Sequence, residues 1–476
     1  MADDANAWTR DMAPIDYLMY RGEMDQRSRS SMMSVEILDR VPAWDRLRED
    51  FDRASRTVLR LRQRVVAPML PVAPAQWVVD PDFDLDYHLR RIRSPEPGTR
   101  RQLLDLAQSF YAGPLDMSRP LWEATLIEGV TAEGGEAALL WKLSHSVTDG
   151  VGGVELDRQI RSYERDPDRG PMPHLPGPRD VAPTELTRRG ALRLPFALVS
   201  GAGRRAAGAL GIARRAVMHP AAAVSGISQF AGSLQRIVGR PPVELSPLLR
   251  RRGLNRRFET LDVPLDGLRR AAKDHGCSVN DAYIAALCGA LRLYHERLGS
   301  HVDAVPLVMP VSLRAGDDPA GGNQWAGVRI AAPVGDPDPV RRMQVIREHV
   351  ITGKSEPAIN ALGAIAPVLA RLPMELVMSI GGGGATTDVQ ASNVPGHVQD
   401  TYIGGAKVLR NYPFGPLPGA AMMVVMLSHV GHCFVGINYD TASITEHELF
   451  ARCLQDGFDE VMAAGADAPT RTAART

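Results

Sequence analysis

At 476 residues the chain is about three times a typical domain, so two sizeable domains are expected. Hydrophobic residues make up 44% and charged residues 23%, the balance of a soluble globular protein. Basic and acidic side chains number 55 each, and this zero net charge argues against a general nucleic-acid binder, so nucleic acid is not expected as a partner.

The first residues, Met1 to Pro14, are acidic and lack the basic start and apolar core of a secretory signal. Residues 43–57 read as an amphipathic helix with Trp44, Leu47, Phe51 and Ala54 on one face. A second helix is expected over 101–112, strands over 121–130 and 137–145, and a helix from Val151 to about Tyr163. This alternation predicts an α/β architecture in which helices cover sheets. A Pro/Gly-rich stretch over 166–184 closes the first domain, taken as residues 1–185.

Residues 186–250 stand apart. No acidic residue lies between Glu185 and Glu244, whereas Arg188, Arg189, Arg193, Arg204, Arg205, Arg214, Arg215, Arg236 and Arg240 all do. The segment reads as a helical crossover between two domains or as a basic amphipathic surface that meets anionic lipid.

The second domain, 251–465, opens with a strand, Phe258 to Val263, which Pro264 ends. A helix follows from Val279 to Leu298, with Ser278 and Asp281 as a capping box. Strands are expected over Val305–Leu313, Val328–Val334, Met422–Leu427 and Cys433–Asn438, the last two flanking a Ser-His-Val-Gly turn. The final helix starts at Thr445 and runs to about Ala463, and residues 466–476 read as a disordered tail. Cys277, Cys288, Cys433 and Cys453 form no CxxC pair, so reduced, mostly buried thiols of a cytosolic protein are expected. His429 and His432 have no partners at ligand spacing, and no metal site is expected. Gly381 to Gly384 lack the helix start and Lys-Ser/Thr of a phosphate loop.

The chemistry concentrates in Leu139-Leu140-Trp141-Lys142-Leu143-Ser144-His145-Ser146-Val147-Thr148-Asp149-Gly150. Strand alternation puts Leu139, Trp141, Leu143 and His145 on one face and Leu140, Lys142 and Ser144 on the other. A histidine ending a buried strand face is partly desolvated and neutral near pH 7, able to accept a proton. The alternative for a lone histidine is a satisfied structural role. No GxSxG elbow appears, so a serine nucleophile of that type is not expected.

His145-x-x-x-Asp149-Gly150 resembles the second His, Asp and Gly of HHxxxDG, the motif of chloramphenicol acetyltransferase-like and peptide-condensation enzymes. Further matches resemble the bacterial wax ester synthase/diacylglycerol acyltransferase family. They are Trp77 to Leu85, Pro120-Leu121-Trp122-Glu123, Asn280-Asp281, Pro310-Val311-Ser312-Leu313-Arg314 with Gly322-Asn323, and Ser392-Asn393-Val394-Pro395-Gly396. They follow family order across nearly the whole chain. Two departures stand out. Ser144 replaces the first motif His, and His397 stands where the family more often has Pro.

The resemblance implies two chloramphenicol acetyltransferase-like domains, each a mixed sheet covered by helices, with an active-site tunnel where they meet. It implies that His145 is the general base and that Asp149 pairs with Arg314 to hold the motif turn. Asn393 is a candidate oxyanion donor, while Asn280 and Asp281 are either active-site residues or helix-cap residues. Pro120, Leu121 and Trp122 are expected to pack under the motif strand. The implied reaction moves a long-chain acyl group from acyl-CoA to a long-chain alcohol or diacylglycerol, with acyl-CoA a substrate and no cofactor. The expected location is cytoplasmic, peripheral at the inner membrane face or at lipid bodies. Two other readings remain open: transfer to another hydroxyl or amine acceptor, such as a polyketide or glycolipid, and a non-catalytic lipid-binding relative. Acyl chain length and oligomeric state stay open too.

Overall fold

The structure, a computed structural model, describes residues 11–148, 150–175, 177, 181–192, 242–312, 325–354, 366–380 and 387–466. The first half contributes α1 (Pro14–Gly22), β1 (Ser31–Leu38), α2 (Trp44–Thr57), β2 (Gln63–Val66), β3 (Gln76–Val79), α3 (Leu85–His88), β4 (Leu89–Arg93), α4 (Arg100–Ala112), β5 (Trp122–Glu128), β6 (Ala137–Ser144) and α5 (Gly150–Ile160). The second half contributes β7 (Arg256–Pro264), α6 (Leu265–Asp274), α7 (Val279–Arg297), β8 (Val305–Ser312), β9 (Trp325–Ala332), α8 (Pro339–Lys354) and α9 (Met374–Ile380). After these come β10 (Thr387–Pro395), β11 (Tyr402–Ile403), β12 (Ala406–Phe414), β13 (Ala420–His429), β14 (His432–Asp440) and α10 (His447–Ala466).

Strand β6 is an apolar run, and its whole length is buried. Leu139, Trp141 and Leu143 join a core under α2 and α5, while Ala138 and Leu140 join another under α4. A strand covered on both faces must sit inside a sheet. It pairs antiparallel with β1 and β5, and β4 adds in parallel to β5. The α2 periodicity emerges as expected, with Leu47, Phe51 and Ala54 buried. Helix α4 starts on a capping box of Thr99 and Gln102.

The first sheet is completed from far along the chain: its order is β11-β12-β1-β6-β5-β4. Residues 251–465 were expected to belong to the second domain, yet Tyr402–Phe414 returns to pair with β1. The physical reason is that Val35 and Ile37 of β1 are buried, and a buried strand cannot be left with an unpaired backbone edge.

The second sheet has the order β7-β14-β13-β10-β8-β9 and is likewise mixed, with β10 parallel to both β8 and β13. Helices α7 and α10 cover it, and the Tyr283 hydroxyl donates to the Val424 carbonyl at 3.0 Å. The β13–β14 hairpin turns at Val430 and Gly431, both at positive φ. Both halves are thus mixed sheets covered by helices. Of the 186–250 segment, residues 186–192 continue a helix that begins at 183, with Leu186 packed against Val66 and Val78; residues 193–241 lie outside the described region, and 242–250 are turn and coil rather than the expected helix. Residues 467–476 of the expected tail do as well.

The sheets meet along β12. Phe414 stacks on Phe258 with ring centres 4.0 Å apart, and the Tyr412 hydroxyl donates to Asp262 at 2.5 Å. At Gly436 a Cβ would overlap the Pro413 carbonyl oxygen, so β14 can approach β12 this closely only through glycine. A second stack, Phe51–Trp122–His88–Phe83, runs through the first half, and Trp122 Nε1 donates to the Leu61 carbonyl at 2.8 Å. His88 is fully buried; its Nδ1 lies 2.7 Å from the Trp122 carbonyl, and its Nε2 has no partner. Burial lowers its pKa to about 4.

Truncating Phe258 to Ala should cost about 3–5 kcal/mol in a denaturant titration, because the ring fills the seam between the sheets. A loss below about 1 kcal/mol would mean that the seam collapses around the gap. His88 makes a pH prediction. Between pH 6.5 and 4 the unfolded chain binds a proton at His88 that the folded chain refuses, so stability falls as pH falls through that window. Relative to His88→Asn, which keeps a donor for the Trp122 carbonyl, the wild type should lose about 2 kcal/mol between pH 7 and 4.5. A stability difference constant across that range would contradict this account.

Candidate active site

The chain leaves β6 through a tight turn. Ser144 N–H donates to the Leu121 carbonyl, His145 N–H to Ser30 and Val147 N–H back to Ser144, at 3.0, 3.1 and 3.0 Å. Backbone atoms of β5, the β1 approach and the turn itself therefore fix where His145 stands. Trp122 lies opposite Leu143 in the ladder and the Leu121 carbonyl takes the Ser144 N–H, so these residues stand beside the motif strand in the same sheet rather than under it as expected. The His145 side chain is half-buried.

Ser144 is fully buried and anchored on Glu23, just past α1. Its hydroxyl donates to Glu23 Oε1 at 2.9 Å, and the Ser30 and Ser31 hydroxyls donate to the same carboxylate at 3.0 and 2.8 Å. The Ser146 hydroxyl stands 2.9 Å from Ser144 Oγ, and Arg29 Nε stands 3.9 Å from Glu23 Oε2. Where the family motif has its first His, this chain thus has a hydroxyl cluster around one carboxylate. Lys142, on the same strand face, donates its ammonium to the carbonyls of Phe110 and Gly113. Burial lowers its pKa to about 8.

Helix α5 follows the motif directly. On its way out, Asp157 takes Arg161 Nε at 2.6 Å, and Arg161 also pairs with Glu36 of β1. The second half reaches this helix through the segment after β10. His397 Nε2 lies 2.8 Å from Asp157 Oδ2, and Val154 packs against Val394, Met423 and Val425. His429 faces His397 edge-on, with ring centres 6.1 Å apart, and burial lowers its pKa to about 4.

The other predicted site residues fall into three groups. Asn393 lies two residues before the end of β10, opposite Met426, and is exposed, four residues before His397. Asp281 is the N3 acid of a complete capping box with Ser278, 2.8 Å from its N–H, which accounts for its burial; Asn280 Nδ2 points to Met309 Sδ at 3.7 Å. Asp149, Arg314 and Asn323 lie outside the described residues, and Gly150 is described only as the first residue of α5. Sequence reasoning missed Glu23, Glu36 and Arg161. The one available signal was the i,i+4 spacing of Asp157 and Arg161, which ordinarily marks a surface pair. Among the described residues, no three His, Cys, Asp or Glu side chains gather as a metal site, and no helix is long and apolar enough to cross a membrane.

A family model of the wax ester synthase/diacylglycerol acyltransferase catalytic domain matches residues 4–283, and one of the family's C-terminal domain matches 321–462. A Mycobacterium tuberculosis protein provisionally named a diacylglycerol O-acyltransferase is 53% identical over 460 residues, covering 96% of this chain and 93% of its own. A second such protein from that organism is 30% identical over 400 residues, covering 81% and 82%. Among solved structures, a wax ester synthase/diacylglycerol acyltransferase from Marinobacter aquaeolei VT8 superposes with a TM-score of 0.63 at 19% identity, over 96% of this chain and all of that one. The starter condensation domain of rhizomide synthetase, solved with C8-CoA, superposes with a TM-score of 0.57 at 14% identity, over 96% and 95%. The chain belongs to the wax ester synthase/diacylglycerol acyltransferase family.

Proposed function

We propose that this protein transfers a long-chain acyl group from acyl-CoA to a long-chain alcohol or diacylglycerol, with His145 as general base, giving wax ester or triacylglycerol. The observation behind the reading is the placement of His145. It follows the buried central strand directly, held by backbone hydrogen bonds, in a chain whose family models span both halves. An alcohol is a poor nucleophile. A neutral imidazole that takes its proton during attack on the thioester carbonyl makes it competent, and the thiolate of CoA departs as thiol. The resulting oxyanion needs hydrogen-bond donors, and Asn393 is our candidate. The acyl and acceptor chains would lie in an apolar tunnel between the two sheets.

Release of CoA thiol, with long-chain acyl-CoA and either acceptor, tests the reading. His145→Ala should lower turnover by about 10²–10⁴-fold in a folded protein. Ser144→Ala, which removes one hydroxyl from Glu23 and leaves His145 in place, should keep most of it. A folded His145→Ala variant retaining more than about a third of wild-type turnover would rule out the base assignment, since such a loss is far below that of a general base.

We also propose that the arginines between Arg188 and Arg240 hold the enzyme at anionic membrane surfaces, where such acceptors reside. Arg188 and Arg189 pair with Glu185, and the other seven arginines, with no acidic residue before Glu244 in sequence, make a stretch of positive charge in a chain of zero net charge. Binding to anionic vesicles should weaken with rising salt and should drop when Arg204, Arg205, Arg214 and Arg215 become Gln. Equal binding by the quadruple variant would assign membrane access elsewhere.

A further inference from the structure

Glu36, Arg161, Asp157 and His397 form an unbroken polar chain that the transfer chemistry does not use. It begins on β1, crosses α5 and ends on the segment after β10, so it touches both sheets and the helix that follows the motif. Its side chains are 1%, 3%, 13% and 5% exposed, so its members partner one another rather than bulk solvent. Arg161 Nε stands 2.6 Å from both Asp157 oxygens. Facing the Asp157 carboxylate, His397 Nε2 carries a proton and donates, and Nδ1 lies 3.4 Å from the Tyr163 hydroxyl. Both ring nitrogens are thereby spent on α5 and the residues just past it.

The histidine is itself firmly seated. Its carbonyl accepts from Val430 N–H at 2.9 Å, and Gly396 N–H donates to Ser428 Oγ at 3.3 Å. A Cβ at Gly396 would overlap the Ser428 carbonyl oxygen, so this glycine is needed for the close approach. The segment is thus riveted to the β13–β14 hairpin, and α5 to the segment.

We propose that His397 is a positioning residue for acyl transfer: through Asp157 it clamps α5 to the second sheet, and so fixes the turn that carries His145 relative to Asn393. This rests on the general-base reading of His145. Helix α5 begins five residues after His145, and Asn393 lies four residues before His397, so the clamp ties the two ends of the site together. A plain core ion pair would support the fold equally whatever the reaction, whereas a positioning clamp alters kcat more than substrate affinity.

The test uses the full chain with palmitoyl-CoA and dioleoylglycerol. His397→Ala should lower kcat about tenfold or more, since misplacement of about 1 Å can cost a hundredfold, while KM for palmitoyl-CoA stays within about twofold. His397→Gln, whose amide N–H can reach Asp157, should restore most of kcat. Hydrogen exchange without substrate should be faster in α5 of His397→Ala and unchanged in β6. If His397→Ala does not fold, Asp157→Asn keeps the side-chain shape and should give the same slow turnover and fast α5 exchange. Unchanged α5 exchange overturns the clamp, as does unchanged kcat or a Gln variant as slow as Ala. If the wild type itself transfers no acyl group, the transferase reading has failed, and exchange alone then decides the clamp.

Discussion

The pairing of β1 with β12 is the constraint on which the rest of this structure depends. Met33 through Leu38 align with Phe414 back to Val408, with one register shift at Ile37 and Leu38. Two domains joined only by a linker would be free to move, with an interface resembling a transient contact. Here a strand of the late chain is hydrogen-bonded into the early sheet, and Phe414 carries that strand onto Phe258 of the other sheet. The segment between β10 and β11 is then held at both ends, by the second sheet before it and the first sheet after it. His397 lies on that held segment, which is why it can meet a helix of the first half at hydrogen-bond distance.

Much of the fold was legible because its signals are local. Helix α2 shows its buried face through Leu47, Phe51 and Ala54, and α7 shows its start through Ser278 and Asp281, features that need only a few neighbouring residues. Strand β6 announces itself as an apolar run. The β1–β12 pairing has no such signal, since its partners lie hundreds of residues apart and edge complementarity leaves no local mark. Strand β1 was further obscured by Glu36, an unlikely core residue by composition, whose burial makes sense only beside Arg161.

In the site, His145 was visible because a motif keeps its members a few residues apart. The Glu23 cluster was not. Its serines are ordinary in sequence, and only the fold brings Ser30, Ser31 and Ser144 to one carboxylate. His397 showed itself as a departure from the family pattern without showing its purpose. Its partner Asp157 sits 240 residues earlier, in a helix recognised as a helix but not as a site.

The energetics of the polar chain explain why direction is a better account of it than stability. Burial pushes Glu36 up to about 7, against the pull of Arg161. Burial alone would raise Asp157 as well, but Arg161 and His397 bring it below the ordinary carboxylate value. Taking such charges out of water costs several kcal/mol for each ion, and apolar side chains of similar volume often do as well or better. Apolar packing, however, is non-directional and tolerates sliding, while a carboxylate held by a guanidinium on one side and an imidazole on the other accepts only a narrow range of helix positions. The nearby apolar contacts of Val154 with Val394 and Met423 supply cohesion. What they lack is a fixed register between α5 and the segment after β10, and the Arg161–Asp157–His397 geometry supplies that register at the helix that follows the turn carrying His145.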